Sequence, residues 1–235
     1  MNSEELLIQG INILCKENIN IDNLISPRRE EIISALNRYI KEIETFNPAY
    51  GLVGTDNIEE LIIKHILDSL APLGIISRFL NLCASVSQCE PLPDKIRIAD
   101  AGSGAGLPGI PLAIALNQCD FTLIERMKRR TGFLFNTKAV LPLSNITIEE
   151  SELENVQCAP FDLITFRAFK PMEPKLLKTL FKVCKKGGII AAYKGKYQKI
   201  EAEMAVFQSK TEWEAIPYAV PFLDEERNIL AIKTE

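Results

Sequence analysis

The 235-residue chain is 47% hydrophobic, enough for one α/β domain with a full core and a smaller appendage. No apolar run approaches the roughly 20 residues that span a bilayer, and the acidic start from Met1 to Ile13 lacks a signal-peptide cleavage site. A formal net charge of −4 argues against a basic coat for nucleic acid but leaves room for an enzyme that meets RNA over one face. The six cysteines (Cys15, Cys83, Cys89, Cys119, Cys158, Cys184) form no CxxC pair and have no partnering histidines. They exclude an evident metal site and suit a reducing, cytoplasmic protein without a membrane partner; the chain is read as a monomer.

Residues 1–94 read as an N-terminal helical extension with a connecting loop. Ser26 is placed to cap a helix that Pro27 opens, and Ile32, Ile33, Leu36, Tyr39, Ile40 and Ile43 recur at helical spacing. A break is expected at Asn47-Pro48-Ala49-Tyr50-Gly51. Asp56 with Glu59 resembles a capping box for a helix from Ile58 to Leu70. The polar loop Gln88–Asp94 leads into the main domain, residues 95–235. There, strands are expected at Lys95–Asp100, Phe121–Glu125, Asn145–Glu149, Phe161–Phe166 and Gly188–Tyr193, then at Trp213–Pro221 and Asn228–Thr234 as an antiparallel pair. Helices are expected at Leu107–Asn117, Lys128–Val140, Glu173–Cys184 and Lys196–Ser209. The alternation implies a mostly parallel sheet covered by helices.

The segment Asp100-Ala101-Gly102-Ser103-Gly104-Ala105-Gly106-Leu107-Pro108-Gly109 follows the first strand and leads into a helix. Its glycines permit close backbone approach at a strand's carboxyl end, where open α/β sheets bind ligands. Gly104, Gly106 and Gly109 satisfy the dinucleotide pattern GxGxxG, which cradles a pyrophosphate. Asp100, however, suits a cationic ligand group, and Gly102 completes the D-x-G-x-G-x-G form of enzymes that use S-adenosylmethionine (SAM). Glu125 ends the next strand, about 20 residues on, where an acid binds ribose hydroxyls. The cofactor set read from this loop and the next strand end is Asp100, Gly102, Gly104 and Glu125. A dinucleotide, or a tight turn with no ligand, stays open at this point.

Several short motifs occur in a characteristic order: Asn47-Pro48-Ala49-Tyr50-Gly51-Leu52, His65-Ile66-Leu67-Asp68-Ser69-Leu70, Leu107-Pro108-Gly109-Ile110-Pro111-Leu112, Arg129-Arg130 with Phe133-Leu134, Arg167-Ala168-Phe169, Lys194-Gly195 and Glu226-Arg227. Through them the chain, from about Tyr39 to its end, resembles the bacterial glucose-inhibited division protein B family, the guanine-N7 methyltransferases of small-subunit ribosomal RNA. The resemblance implies a class I SAM-dependent methyltransferase with a Rossmann-like seven-stranded sheet. It further implies SAM contacts at Gly102, Leu107, Leu153, Glu154 and Arg167, and 16S ribosomal RNA or the small subunit as partner. The chain departs from the family at Ala105 (usually proline), Gly132 and Glu152 (commonly arginine), Phe166 (usually serine) and Asn228 (usually histidine).

Guanine N7 carries a lone pair and no proton, so its methylation calls for orientation and electrostatics, with no general base. After the strand Phe161–Phe166 stands the cation Arg167, in place of the [DN]-P-P-[YF] of amino-methylating enzymes. Arg167, Lys194 and Arg227 are therefore expected to converge beside SAM and orient the RNA. His65 and Asp68 share a helix face; the lone histidine is read as structural, and a site-lining role in which the two brace the cofactor loop is the alternative. Lys128, Arg129 and Arg130 open a helix, where cations oppose the dipole, and suggest an anionic partner or a solvated face. Trp213, Tyr218 and Phe222 are read as core. A SAM enzyme for another acceptor, a noncatalytic RNA-binding module and a dehydrogenase remain the alternatives.

Overall fold

The computed structural model describes residues 2–82, 95–141, 143–158, 160–168, 171–207 and 211–234. Cys83, Cys89, the loop Gln88–Asp94, Phe169, and Gln208–Ser209 at the end of one expected helix lie outside the described residues.

The extension comprises α1 (Ser3–Glu17), α2 (Ile19–Ile25), α3 (Arg29–Tyr50), α4 (Ile58–Leu61), a π-helical turn (Ile62–Leu67), α5 (Asp68–Leu70) and α6 (Leu73–Phe79). Ser26 does not cap α3: it sits inside a short 3-10 turn with Pro27, and its hydroxyl donates to Asp22. The break expected at Asn47–Gly51 is a continuation of α3, because Pro48 falls in its last turn, near the end of the ladder. Gly51 ends the helix at φ 58°, where a residue lacking Cβ is unstrained. The residue capping α4 is Asn57, whose side chain accepts from the amides of Glu59 and Glu60; Asp56 instead accepts from the Asn47 side chain.

The main sheet has the order β3-β2-β1-β4-β5-β7-β6. Its strands are β1 (Arg97–Ala101), β2 (Asp120–Glu125), β3 (Ile146–Glu150), β4 (Phe161–Arg167), β5 (Cys184–Lys194), β6 (Trp213–Val220) and β7 (Leu223–Lys233). The first five are parallel; β7 runs antiparallel to both β5 and β6. The crossover helices are α7 (Gly109–Ala115), α8 (Lys128–Val140), α9 (Pro174–Val183) and α10 (Tyr197–Met204). β5 starts four residues earlier than the sequence suggests, because Cys184 already pairs with Phe161 across an irregularity in the ladder.

Successive strand residues face opposite sides. Ile98 and Leu163 join a core with Leu7, Ile11, Ile66, Ile110 and Phe133, whereas Ala99 and Ile164 join one with Leu177, Leu180, Ile200 and Met204. The helical extension thus shares its core with α7, α8 and one face of the sheet, and α9 and α10 cover the other. The strand order reverses between β1 and β4, which makes the carboxyl ends of these two strands the natural ligand crevice.

Candidate active site

The loop after β1 builds one wall of that crevice. Gly102 and Ser103 donate their amides to Ile124 O at 2.9 and 3.0 Å, which binds the loop to the end of β2. Gly104 has φ 59° and donates its amide to Glu125 Oε2 at 3.0 Å. At Gly109 the helix start lies so close to β1 that a Cβ would stand 2.6 Å from Asp100 Oδ2; only glycine fits without displacement. Asp100 is fully buried. Its Oδ2 accepts from Ser103 Oγ (2.7 Å) and Gly109 N (2.9 Å), while Oδ1 has no partner among the described residues. Burial pushes the carboxyl up to about 6, against the opposing pull of those two hydrogen bonds.

A recess of about 190 Å³ opens beside this loop, lined by Gly102, Ile124, Glu125, Arg126, Met127, Arg130, Ser151–Glu154 and Ala168. Gly102, Glu125, Leu153 and Glu154 line it directly. Asp100, Gly104 and Leu107 belong to the same loop but do not line it. Glu125 Oε1 accepts from Met127 N at 2.9 Å, and Arg130 Nη1 stands 3.8 Å from Oε2. Each carboxylate oxygen therefore keeps lone-pair capacity for a ribose hydroxyl. With the orphaned Asp100 oxygen behind the loop, this donor and acceptor set fits the nucleoside end of SAM. Ala105, where the family has proline, presents its carbonyl to Tyr39 Oη at 2.7 Å, so α3 pins the loop from behind. That brace is Tyr39; His65 and Asp68 hold Arg167 instead. Glu152, another departure, pairs with Arg126 at 3.3 Å, and Gly132 faces open space on α8.

A second cavity, about 660 Å³, adjoins the recess. Ala168 lines both, at φ 50°, directly after β4. Strand register explains what gathers there. Arg167 pairs with Tyr193, Lys194 with Asn228, and Arg227 with Tyr218, which sets three successive registers side by side at the carboxyl ends of β4, β5 and β6, where the antiparallel β7 passes between the last two. Arg167 was expected among the SAM contacts as well, but it lines this larger cavity and not the recess. Its guanidinium is gripped from the extension: Nη1 donates to Lys64 O and Asp68 Oδ2, both at 3.1 Å, and Nη2 donates to His65 Nδ1 at 2.9 Å. Arg227 Nε stands 3.4 Å from Asp68 Oδ1, and Tyr218 Oη donates to the same oxygen at 3.0 Å. Asp68 is thus buried under three donors. Lys194 turns to Glu203 on α10, with Nζ 2.8 and 2.9 Å from its two oxygens.

The π-turn makes this grip possible. Asp68 N bonds back to Ile63 O, five residues earlier, which re-aims Asp68 relative to a regular helix. Burial, with the Arg167 charge second, pushes His65 down to about 4, so at neutral pH it is an uncharged acceptor for Arg167. Burial also raises Tyr193 and Tyr218, which remain protonated donors.

Sequence reasoning missed Glu203, Lys64 and the second role of Tyr218, which packs against the core as expected and also lines the cavity; Phe222 is 45% exposed. A lone acid on a surface-patterned helix carries no signal of its own. Of the three cations opening α8, Arg130 leans over Glu125, whereas Lys128 and Arg129 are exposed. The departures Phe166 and Asn228 are buried: Phe166 packs in the α9 core, and Asn228 donates to Gly195 O at 2.7 Å. Among the described residues no His, Cys, Asp and Glu cluster could hold a metal, and no helix is long and apolar enough to cross a membrane.

Strand order, glycine loop and strand-end acid together define a class I SAM-dependent methyltransferase. Solved structures share the fold: a putative O-methyltransferase from Klebsiella pneumoniae superimposes with a TM-score of 0.53 at 17% identity, covering 86% of this chain and 90% of that one. A SAM-dependent methyltransferase from Aquifex aeolicus gives 0.51 at 16% identity, covering 70% and 90%. The chain belongs to the GidB family, rRNA small subunit methyltransferase G, whose model matches residues 32–230. It is 36% identical to the ribosomal RNA small subunit methyltransferase G of Treponema denticola over 98% of this chain and 96% of the relative. It is 31% identical to that of Polynucleobacter asymbioticus, over 96% of each.

Proposed function

We propose that the chain transfers a methyl group from SAM to N7 of one guanine in small-subunit (16S) ribosomal RNA, as a cytoplasmic enzyme. The observation that carries this reading is the junction at Ala168, where the cofactor recess opens onto a cavity rich in hydrogen-bond donors. The recess is smaller than the roughly 300 Å³ at the lower end of ligand pockets, so a ligand the size of SAM reaches that junction. The cofactor supplies an electrophilic methyl group on a sulfonium centre. Gly102, Glu125, Leu153 and Glu154 hold it, and Arg167 and Arg227, fixed on Asp68, position the RNA. The N7 lone pair forms the new N–C bond as the S–C bond breaks, and positive charge passes to the guanine ring. No proton leaves the base at this step. The cavity matches that demand: its histidine is occupied by Arg167 and its phenols stay protonated.

The test is incubation with methyl-labelled SAM and small subunits, or their RNA, from cells lacking the enzyme. N7-methylguanine at one position is expected; SAM binding without RNA labelling would send the assignment to another acceptor. Arg167→Lys keeps the charge but loses the planar fork that joins Lys64, His65 and Asp68. We expect kcat/KM to fall about tenfold to a hundredfold, and undiminished turnover would remove Arg167 from the orienting role.

A further inference from the structure

We propose that Lys194 and Glu203 together read the Watson–Crick edge of the acceptor base and so select guanine. The proposal rests on the guanine-acceptor reading above and deepens it. The problem the site must solve is specific to N7. The commonest way for a protein to recognise guanine is an arginine on O6 and N7, but that contact would occupy the lone pair that must attack the methyl group. Selection has to come from another edge. A base taken out of its stack exposes its Watson–Crick edge for this purpose. In guanine this edge presents an acceptor (O6) followed by two donors (N1–H and N2–H). Its complement is one donor beside two acceptors.

Lys194 and Glu203 carry the groups of that complement, and present it when the ammonium, which spans both oxygens of the pair, gives up one of them to the base. The ammonium has three donor hydrogens and makes two bonds, both to one carboxylate, at 2.8 and 2.9 Å, which leaves one for O6. The carboxylate offers two oxygens in one plane. Both groups line the 660 Å³ cavity, and their side chains are 17% and 18% exposed. The amide of Met172 donates to Glu203 Oε1 from the segment after β4 and holds the carboxylate in place. Oε2 has Lys194 as its only hydrogen-bond partner among the described residues. Lys194 follows Tyr193, the partner of Arg167 in the β4–β5 ladder, so it stands on the neighbouring strand at the level of Ala168. The pair therefore lies within the cavity, beside the junction with the cofactor recess.

The other carboxylate of the cavity is not available. Asp68 is 5% exposed at its side chain and already faces Arg167, Arg227 and Tyr218. Adenine and cytosine would turn a ring-nitrogen lone pair towards Glu203, an acceptor facing an acceptor, and are rejected by repulsion as well as by lost bonds.

The experiment uses the full chain and small-subunit RNA ligated to carry either guanosine or inosine at the methylated position. Inosine keeps O6, N1–H and N7 and lacks only the 2-amino group. The wild type should favour guanosine in kcat/KM by about tenfold or more, the scale of one hydrogen bond to a charged group. In Glu203→Ala the ratio should fall to within about threefold, because guanosine loses two bonds and inosine, which keeps only N1–H, loses one. Glu203→Gln, closer in shape, should also lower the ratio and carries the test if the alanine variant fails to bind SAM. Lys194→Met should depress both substrates together, since both retain O6. Equal losses on guanosine and inosine in the Glu203 variants would make Glu203 a brace for Met172 and Lys194, and overturn the proposal. So would a wild type that methylates both bases equally at N7, which would leave the guanine-N7 reading intact. Labelling of neither RNA would overturn both.

Discussion

The cofactor recess and the acceptor cavity meet at one residue yet are built in different ways. The recess draws its lining from residues 102–130 and 151–154, plus Ala168, and is shaped largely by backbone: glycine amides, strand ends and two main-chain bonds to Glu125. The cavity draws on residues from Lys64 to Arg227 and is held by side-chain charge pairs spanning the extension, β4, β5, β7 and α10. A backbone-built site is stiff and survives side-chain change around it. A charge-built site is adaptable, but each member depends on the others.

The sharpest way to break the comparison is Asp68→Ala, which leaves Arg167 and Arg227 facing each other without their shared counter-charge. Uncompensated burial of that kind costs about 3–5 kcal/mol. Urea unfolding should register the loss, and turnover should drop at least a hundredfold, while SAM affinity of the folded fraction stays within about threefold. On the recess side, Glu125→Gln keeps the shape and one acceptor but removes the charge. SAM affinity should weaken about tenfold, by titration calorimetry, with little change in the Michaelis constant for RNA. If both variants damaged both affinities alike, the two regions would be one unit.

His65 offers a smaller, pH-resolved probe. Its folded value of about 4 lies below the unfolded 6.5, so between these limits the unfolded chain binds the extra proton. Its contribution is complete above about pH 6.5 and is lost as pH falls towards 4. Asp100 works in the opposite sense: raised to about 6, it favours the folded state increasingly as pH falls from 6 towards 3.8. The two nearly offset each other in the wild type. His65→Gln should therefore expose the Asp100 trend, shifting the stability difference between pH 7 and pH 4.5 by about 2 kcal/mol after allowance for partial exposure. An unchanged pH profile in chemical denaturation would remove His65 from this balance. Smallest of all, Tyr39→Phe deletes one hydrogen bond to Ala105 O. About 1 kcal/mol of stability should go, with a few-fold loss of SAM affinity and no change in the guanosine-to-inosine ratio.

Much of the recess was readable along the chain because its parts are local. Glycines spaced over Gly102–Gly109, an acid 21 residues beyond Gly104 and a strand pattern on either side all fall within one βαβ unit. The sequence led to the expectation that Arg167, Lys194 and Arg227 converge, and all three line one cavity, while the family resemblance alone assigned Arg167 to SAM as well. It also set a break where Pro48 merely sits in a last helical turn, and gave the cap of α4 to Asp56 instead of Asn57. The cap error concerns which of two neighbouring polar groups reaches a given amide, and the break error where in a helix a proline falls; a spacing argument resolves neither.

By itself, then, the sequence determined the sheet, the cofactor loop and the family, because hydrophobic period, glycine placement and local motifs act over short separations. Only the tertiary structure decided that the extension supplies Asp68 and His65 to Arg167, that Tyr39 pins the glycine loop, and that Glu203 meets Lys194. Each of these joins elements whose distance in the chain bears no fixed relation to their distance in space. The π-turn, the strand registers and the packing of the extension against the sheet set those distances.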